Sequence, residues 1–299
     1  MLDEAMAWWY HAAAFLYISG LVLVVGAAAA AWLVPVPARV PLLTAVVLAA
    51  GVAARLVAQG QMAFGEMGGL TREFTRLIVF ETPWGWGWRW QAATAAAVLL
   101  AAIIRRVTGP ARIVREPLGV VLAMSAVAAA ALTGHAMAFP ELIWAMVPLH
   151  ALHVAGAGLW MGTLAVLLVR LGSIGRDARD GAARREAVAL TFARFSSLAV
   201  VAVGVMAVSG VVAGGLHLGE WTALWSTSYG RMLLLKVGVF ALAGACGAYN
   251  WQRVRPGLAI EDEATRQLRR VGSIEVALGV VVLALTSLLA ALPMPAEGA

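Results

Sequence analysis

The sequence predicts an all-α integral membrane protein of eight transmembrane helices, laid out as two parallel four-helix repeats with both termini outside. Three observations predict this. The chain has 299 residues, 62% hydrophobic and only 13% charged, with a mean hydropathy of +0.85, whereas a soluble domain carries about 25% charged residues. Its apolar runs reach the roughly 20 residues a spanning helix needs. Its arginines gather in alternate loops between those runs, which is the pattern of a topology signal.

The spans fall near 7–34, 41–64, 86–106, 117–137, 147–171, 192–216, 229–252 and 271–292. The first run is flanked by Asp3 and Glu4, where a cleavable signal would be basic, so it reads as a span. Segment 65–83 reads as an amphipathic surface helix carrying Arg72 and Arg76. After it, Trp84, Trp86, Trp88 and Trp90 read as an interfacial aromatic belt at the start of the third span. The charged stretches GSIGRDARDGAARRE (172–186) and RPGLAIEDEATRQLRR (255–270) are too short to be soluble domains.

Arg39; Arg105, Arg106, Arg112 and Arg115; Arg170, Arg176, Arg179, Arg184 and Arg185; and Arg253, Arg255, Arg266, Arg269 and Arg270 follow the odd-numbered spans. The other side carries only Arg72, Arg76, Arg89 and Arg231. The positive-inside rule then makes the first set cytoplasmic.

A repeat divides the chain into four-helix units at 1–137 and 147–293, together one membrane domain. HAAAFLYISG (11–20) and HVAGAGLWMG (153–162) both open with His and place Gly nine residues on. TPWG (82–85) and TSYG (227–230) both introduce the third span of their unit. The shifts, 142 (11 to 153) and 145 (82 to 227), nearly agree. Transporters are often built from such halves, with the site at their interface.

All five histidines, His11, His135, His150, His153 and His217, fall on the predicted outer side. His150 and His153 are three apart and share a helix face. Met137 and Met146 flank them, and imidazole with thioether suits copper. Met161 and Met206 lie near the middle of spans five and six, as core filling or as soft steps inward. Cys246 is the only cysteine, which rules out an internal disulfide or a CxxC clip.

Charges at membrane depth need partners. Lys236, the only lysine, and Arg55 have no acid at their depth, so loop acids such as Glu66, Glu81 or Glu220 are the expected partners. Arg194, Asn250 and Glu275 lie near the inner ends of spans six, seven and eight, and are expected to form one hydrogen-bonded cluster that locks those helices together. The basic residues form no aromatic-interleaved patch for nucleic acid, and no GxxxxGK[ST] loop for a nucleotide is present. No Ser/His/Asp set or carboxylate pair suggests an enzyme.

TGHA (133–136), HVAGAGLWMG (153–162), RFSSLAVVAVGVMAVSG (194–210), TSYGRMLLLK (227–236), GAYN (247–250) and the Glu275 helix ending in ALP (291–293) resemble the copper resistance protein D family. The likeness covers about 130–293 and extends loosely to the first unit through the repeat. It implies a bacterial inner-membrane protein of copper uptake or handling, working with a periplasmic copper chaperone that would be a separate chain. It supports roles for His135 and His153, which stand in its motifs, and says less of His150. The expected ligand is copper, as Cu(I), moved inward without hydrolysis. Two other readings fit the same histidines. One is a b-type cytochrome with a single outer haem between His135 and His153 or His11 and His153. The other is an assembly partner that anchors copper for another protein.

Overall fold

The computed structural model describes residues 2–68, 71–108, 112–134, 137, 140–293 and 295. All regular structure among them is helical: α1 (Leu2–Leu33), α2 (Arg39–Gly68), α3 (Arg72–Glu81), α4 (Pro83–Thr108), α5 (Arg112–Ala130), α6 (Ile143–Ala157), α7 (Thr163–Arg170), α8 (Gly181–Leu218), α9 (Ala223–Ser226), α10 (Ser228–Tyr249) and α11 (Asp262–Leu289). A π-helical turn, Gly158–Gly162, joins α6 to α7 in one span, and a second, Asn250–Val254, prolongs α10. Each π turn admits an extra residue and re-aims the side chains on it.

Among the described residues, seven helices are long and apolar enough to cross a membrane. They coincide with seven of the expected spans, and the span expected at 117–137 is the shorter apolar helix Pro117–Thr133. The chain is a multi-pass helical membrane protein. The charged loops are shorter than expected because helices continue into them. Asp180 caps α8 by accepting from the Ala183 N–H at 2.8 Å, and Arg185 meets Asp262 at 3.7 Å where the α8 and α11 extensions pass.

The segment read as a surface helix is α3, capped by Thr71, with Ile78 and Val79 buried. Gly65, at φ 64°, breaks the helical path of α2 just ahead of it. The tryptophan belt divides in two. Trp84 and Trp88 stack at 6.5 Å on one face of α4, with Trp88 donating to the Val52 carbonyl at 2.9 Å. Only Trp86 and Trp90 face outward. Alternate residues of a helix point to opposite sides, so an every-second pattern cannot all be interfacial.

α1 is central. It packs on α2, α5, α7, α11 and the first π turn. Gly26 and Gly162 bring α1 and that turn into backbone contact, where any Cβ would overlap the neighbour's main chain. Small residues of this kind let membrane helices approach closely. α1 and the span formed by α6, the π turn and α7 therefore lie against each other. By contrast, α8 and α10 touch at few points, and α10 leaves most of its surface uncovered.

TPWG and TSYG adopt the same local structure. Thr82 Oγ1 donates to the Ile78 carbonyl and accepts from the Gly85 N–H at 2.9 Å. Thr227 Oγ1 donates to the Ala223 carbonyl and accepts from the Gly230 N–H at 3.0 Å. In both, the glycine lies flat against the preceding short helix, α3 or α9.

Candidate metal site

The histidines take separate partners. His11 Nδ1 donates to the Ser287 carbonyl at 3.2 Å, tying α1 to the end of α11. His217 Nδ1 shares a hydrogen bond of 3.0 Å with the Tyr229 hydroxyl. His153 Nδ1 lies 3.1 Å from Ser209 Oγ, and His150 lies within electrostatic reach of it on the same helix. His135 lies outside the described residues. Among the described residues, no group of three or more His, Cys, Asp or Glu is arranged to hold a metal ion. Met146 is buried beside Ala131, and Met137 is half-buried in the turn accepting it at the Gly134 carbonyl.

His153 is the histidine whose surroundings suit a ligand. Ser209 Oγ donates to the Val205 carbonyl at 2.6 Å, which leaves its oxygen to accept from His153 Nδ1–H. In the tautomer that donates from Nδ1, the lone pair stands on Nε2, the arrangement typical of metal-binding imidazole. Gly210 makes room for the ring, since a side chain there would meet His153 Cε1 at 3.2 Å. Lys236 of α10 is half-buried within electrostatic reach of the same imidazole and has no acidic partner among the described residues.

A file of donors descends from His153. Met206 of α8, one turn from Ser209, lies over Gly156, where a Cβ would meet its Cγ at 2.6 Å. Met161, on the π turn, has its thioether lodged in the notch left by Gly279 of α11. Both methionines are 5% exposed. One turn from Gly279 along α11 is Glu275. Its Oε1 accepts from Trp160 Nε1 at 2.7 Å and its Oε2 from Asn250 Nδ2 at 3.4 Å. Each sulfur or carboxyl group is seated against a residue without a side chain, so the glycines set the shape of the file.

Two expectations are corrected here. Arg194 is exposed and stands apart from Asn250 and Glu275. The neighbouring Phe192 and Phe195 take the buried face of α8, which turns Arg194 outward. Trp160 holds the third place in that cluster. A tryptophan in an apolar run reads as packing, and only the indole N–H marks it as a donor. Among the described residues Arg55 meets no acid, and the side chain of Glu66, one of its expected partners, lies outside them. Arg55 donates to Gln91 Oε1 at 2.7 Å and Thr133 Oγ1 at 3.0 Å, between the rings of Tyr17 (4.8 Å) and Trp84 (5.8 Å). Cys246 is half-buried one turn before Asn250, within electrostatic reach of Glu275.

A bundle of apolar helices long enough to cross a membrane defines a class, multi-pass membrane proteins. The comparisons with known proteins make it particular. Residues 1–141 match the Copper resistance protein D-like N-terminal domain, and residues 189–289 match Copper resistance protein D. The chain belongs to the copper resistance protein D family, and its function is copper-related. The Copper transport protein CutJ of Bacillus subtilis (strain 168) is 31% identical over 176 residues, 57% of this chain but only 29% of that protein. No solved structure matches. None of these matches supports haem.

Proposed function

We propose that this chain captures Cu(I) at the outer face of a bacterial inner membrane, at His153 with His150 and His135, and passes it inward along Met206 and Met161. The observation that carries this reading is the file itself: four donor positions on α6, the first π turn, α8 and α11, each opposite a glycine, in a family tied to copper. Thioether and imidazole select Cu(I) over harder cations. Direction follows from charge. The arginine-rich loops face the cytoplasm, and one positive charge moving inward gains about 2.3 kcal/mol per 100 mV of inside-negative potential. A separate periplasmic chaperone supplies the ion.

The test is influx of Cu(I) into proteoliposomes holding the purified chain and a trapped Cu(I)-responsive dye. Influx should depend on inside-negative potential. His153→Ala should abolish capture, and Met161→Leu with Met206→Leu should slow influx while leaving external binding intact. Influx equal to that of empty vesicles, or accumulation only in inverted vesicles, would refute it.

A further inference from the structure

We propose that Glu275, Asn250 and Met161 form an inner Cu(I) station, distinct from the histidine end, that receives the ion before release. This rests on the reading of the file as a copper route. It gives the buried polar cluster a role beyond holding helices together.

Glu275 is 3% exposed, and among the described residues no Lys, Arg or His pairs with it. Its two hydrogen-bond donors, Trp160 and Asn250, are neutral. A carboxyl group at membrane depth without a countercharge is costly, and residues of this kind mark ion routes. A passing cation supplies the missing charge.

Asn250 points the same way. It is 9% exposed, and its Oδ1 is buried without a partner. Nδ2 faces the carboxylate because only the amide nitrogen can donate, so the oxygen is the atom left over. A cluster serving only as glue would satisfy that oxygen, since an orphan buried acceptor costs about 1–3 kcal/mol. A cation shared with Glu275 satisfies it.

The backbone is built around the same point. Trp160 comes from one π turn and Asn250 from the other, so the two π turns among the described residues converge on one carboxyl group. Such turns gather at functional sites. Gly247 lets the carboxyl lie close against α10, for a Cβ there would lie 3.1 Å from Oε1. The Met161 thioether, one turn away on the same face of α11, completes a set of one soft and two hard donors. Such a set holds Cu(I) loosely, which suits a relay, because an ion that conducts must also leave. Cys246, adjacent on α10, is the thiol that draws it onward.

The experiment is equilibrium dialysis of the full chain in detergent against Cu(I) held in acetonitrile, a weak competitor, paired with the vesicle influx assay. Wild type should bind two Cu(I). Glu275→Gln keeps an acceptor oxygen for Trp160 and should bind one, with influx reduced at least tenfold. His153→Ala should remove the other. Met161→Leu is nearly isosteric and should weaken the inner equivalent roughly tenfold without touching the outer, even if Glu275→Gln fails to fold. Two Cu(I) and normal influx in Glu275→Gln, with only the melting temperature lowered, would make the cluster glue and overturn the proposal. Two Cu(I) with influx that no longer responds to a pH gradient would make Glu275 a proton carrier and overturn it too. No copper on wild type would instead sink the reading of the file, His153 included.

Discussion

Residues 1–137 and 147–293 begin their third spans with the same threonine-capped turn and then fill the space below it differently. In the first unit Arg55 is forked between Gln91 and Thr133 and covered by Tyr17 and Trp84, so α1, α2, α4 and the end of α5 are bound into one block. Gln91 also donates to the Ala129 carbonyl at 3.2 Å. The shift of 145 that relates TPWG to TSYG brings Gln91 onto Lys236. There the second unit has a lone cation, an imidazole and a file of thioethers in place of a closed network. The difference teaches that one unit is built to hold and the other keeps uncommitted donors. Uncommitted groups cost stability and are kept where something must bind.

The largest expected effect comes from breaking the first block. Arg55→Ala removes both arms of the fork and leaves Gln91 Oε1 without its donor, which should destabilise the protein by about 3 kcal/mol, read as a lowered melting temperature in detergent, with the Cu(I) affinity of the surviving folded protein unchanged. A copper defect without loss of stability would contradict the division of labour. Exchanging the matched residues is the next test. Gln91→Lys sets a second cation against Arg55 and should lower the melting temperature. Lys236→Gln removes a charge beside His153 and should tighten Cu(I) binding there roughly fivefold, an electrostatic effect of about 1 kcal/mol. Weaker binding in Lys236→Gln would mean that the lysine assists capture. The smallest stability effect should come from Met206→Leu, below about 1.5 kcal/mol for a volume-conserving swap, although it slows influx. Sidedness can be checked separately with single cysteines at Asp177 and Glu220 in a Cys246→Ser background. An impermeant maleimide applied outside should label only position 220.

The spans were legible because apolar length and loop arginines are one-dimensional signals, and seven of eight recur as long apolar helices. The threonine-glycine turns were legible because their chemistry is local. What lay beyond reading was azimuth, the direction a residue takes around its helix. Arg194 shares a depth with Glu275 but faces away from it. The partners of Arg55 stand 36 and 78 residues distant and are neutral, so a search for acids missed them. The methionines could be named from the sequence, but their glycine seats on other helices could not. The π turns leave no mark in periodicity, since one extra residue shifts the pattern by less than the tolerance of a hydrophobic stripe.

The crossing of α1 with the first π turn at Gly26 and Gly162 has a mechanical consequence. Interdigitated side chains act as gear teeth, and a change in crossing angle must lift each out of its slot. Here main chain rests on main chain, so the two units meet at a bare fulcrum. Val25, lodged against Gly158 on the same turn, is the tooth that keys the crossing beside that point. Because Met161 belongs to the same turn as Gly162, the position of its thioether is tied to that crossing.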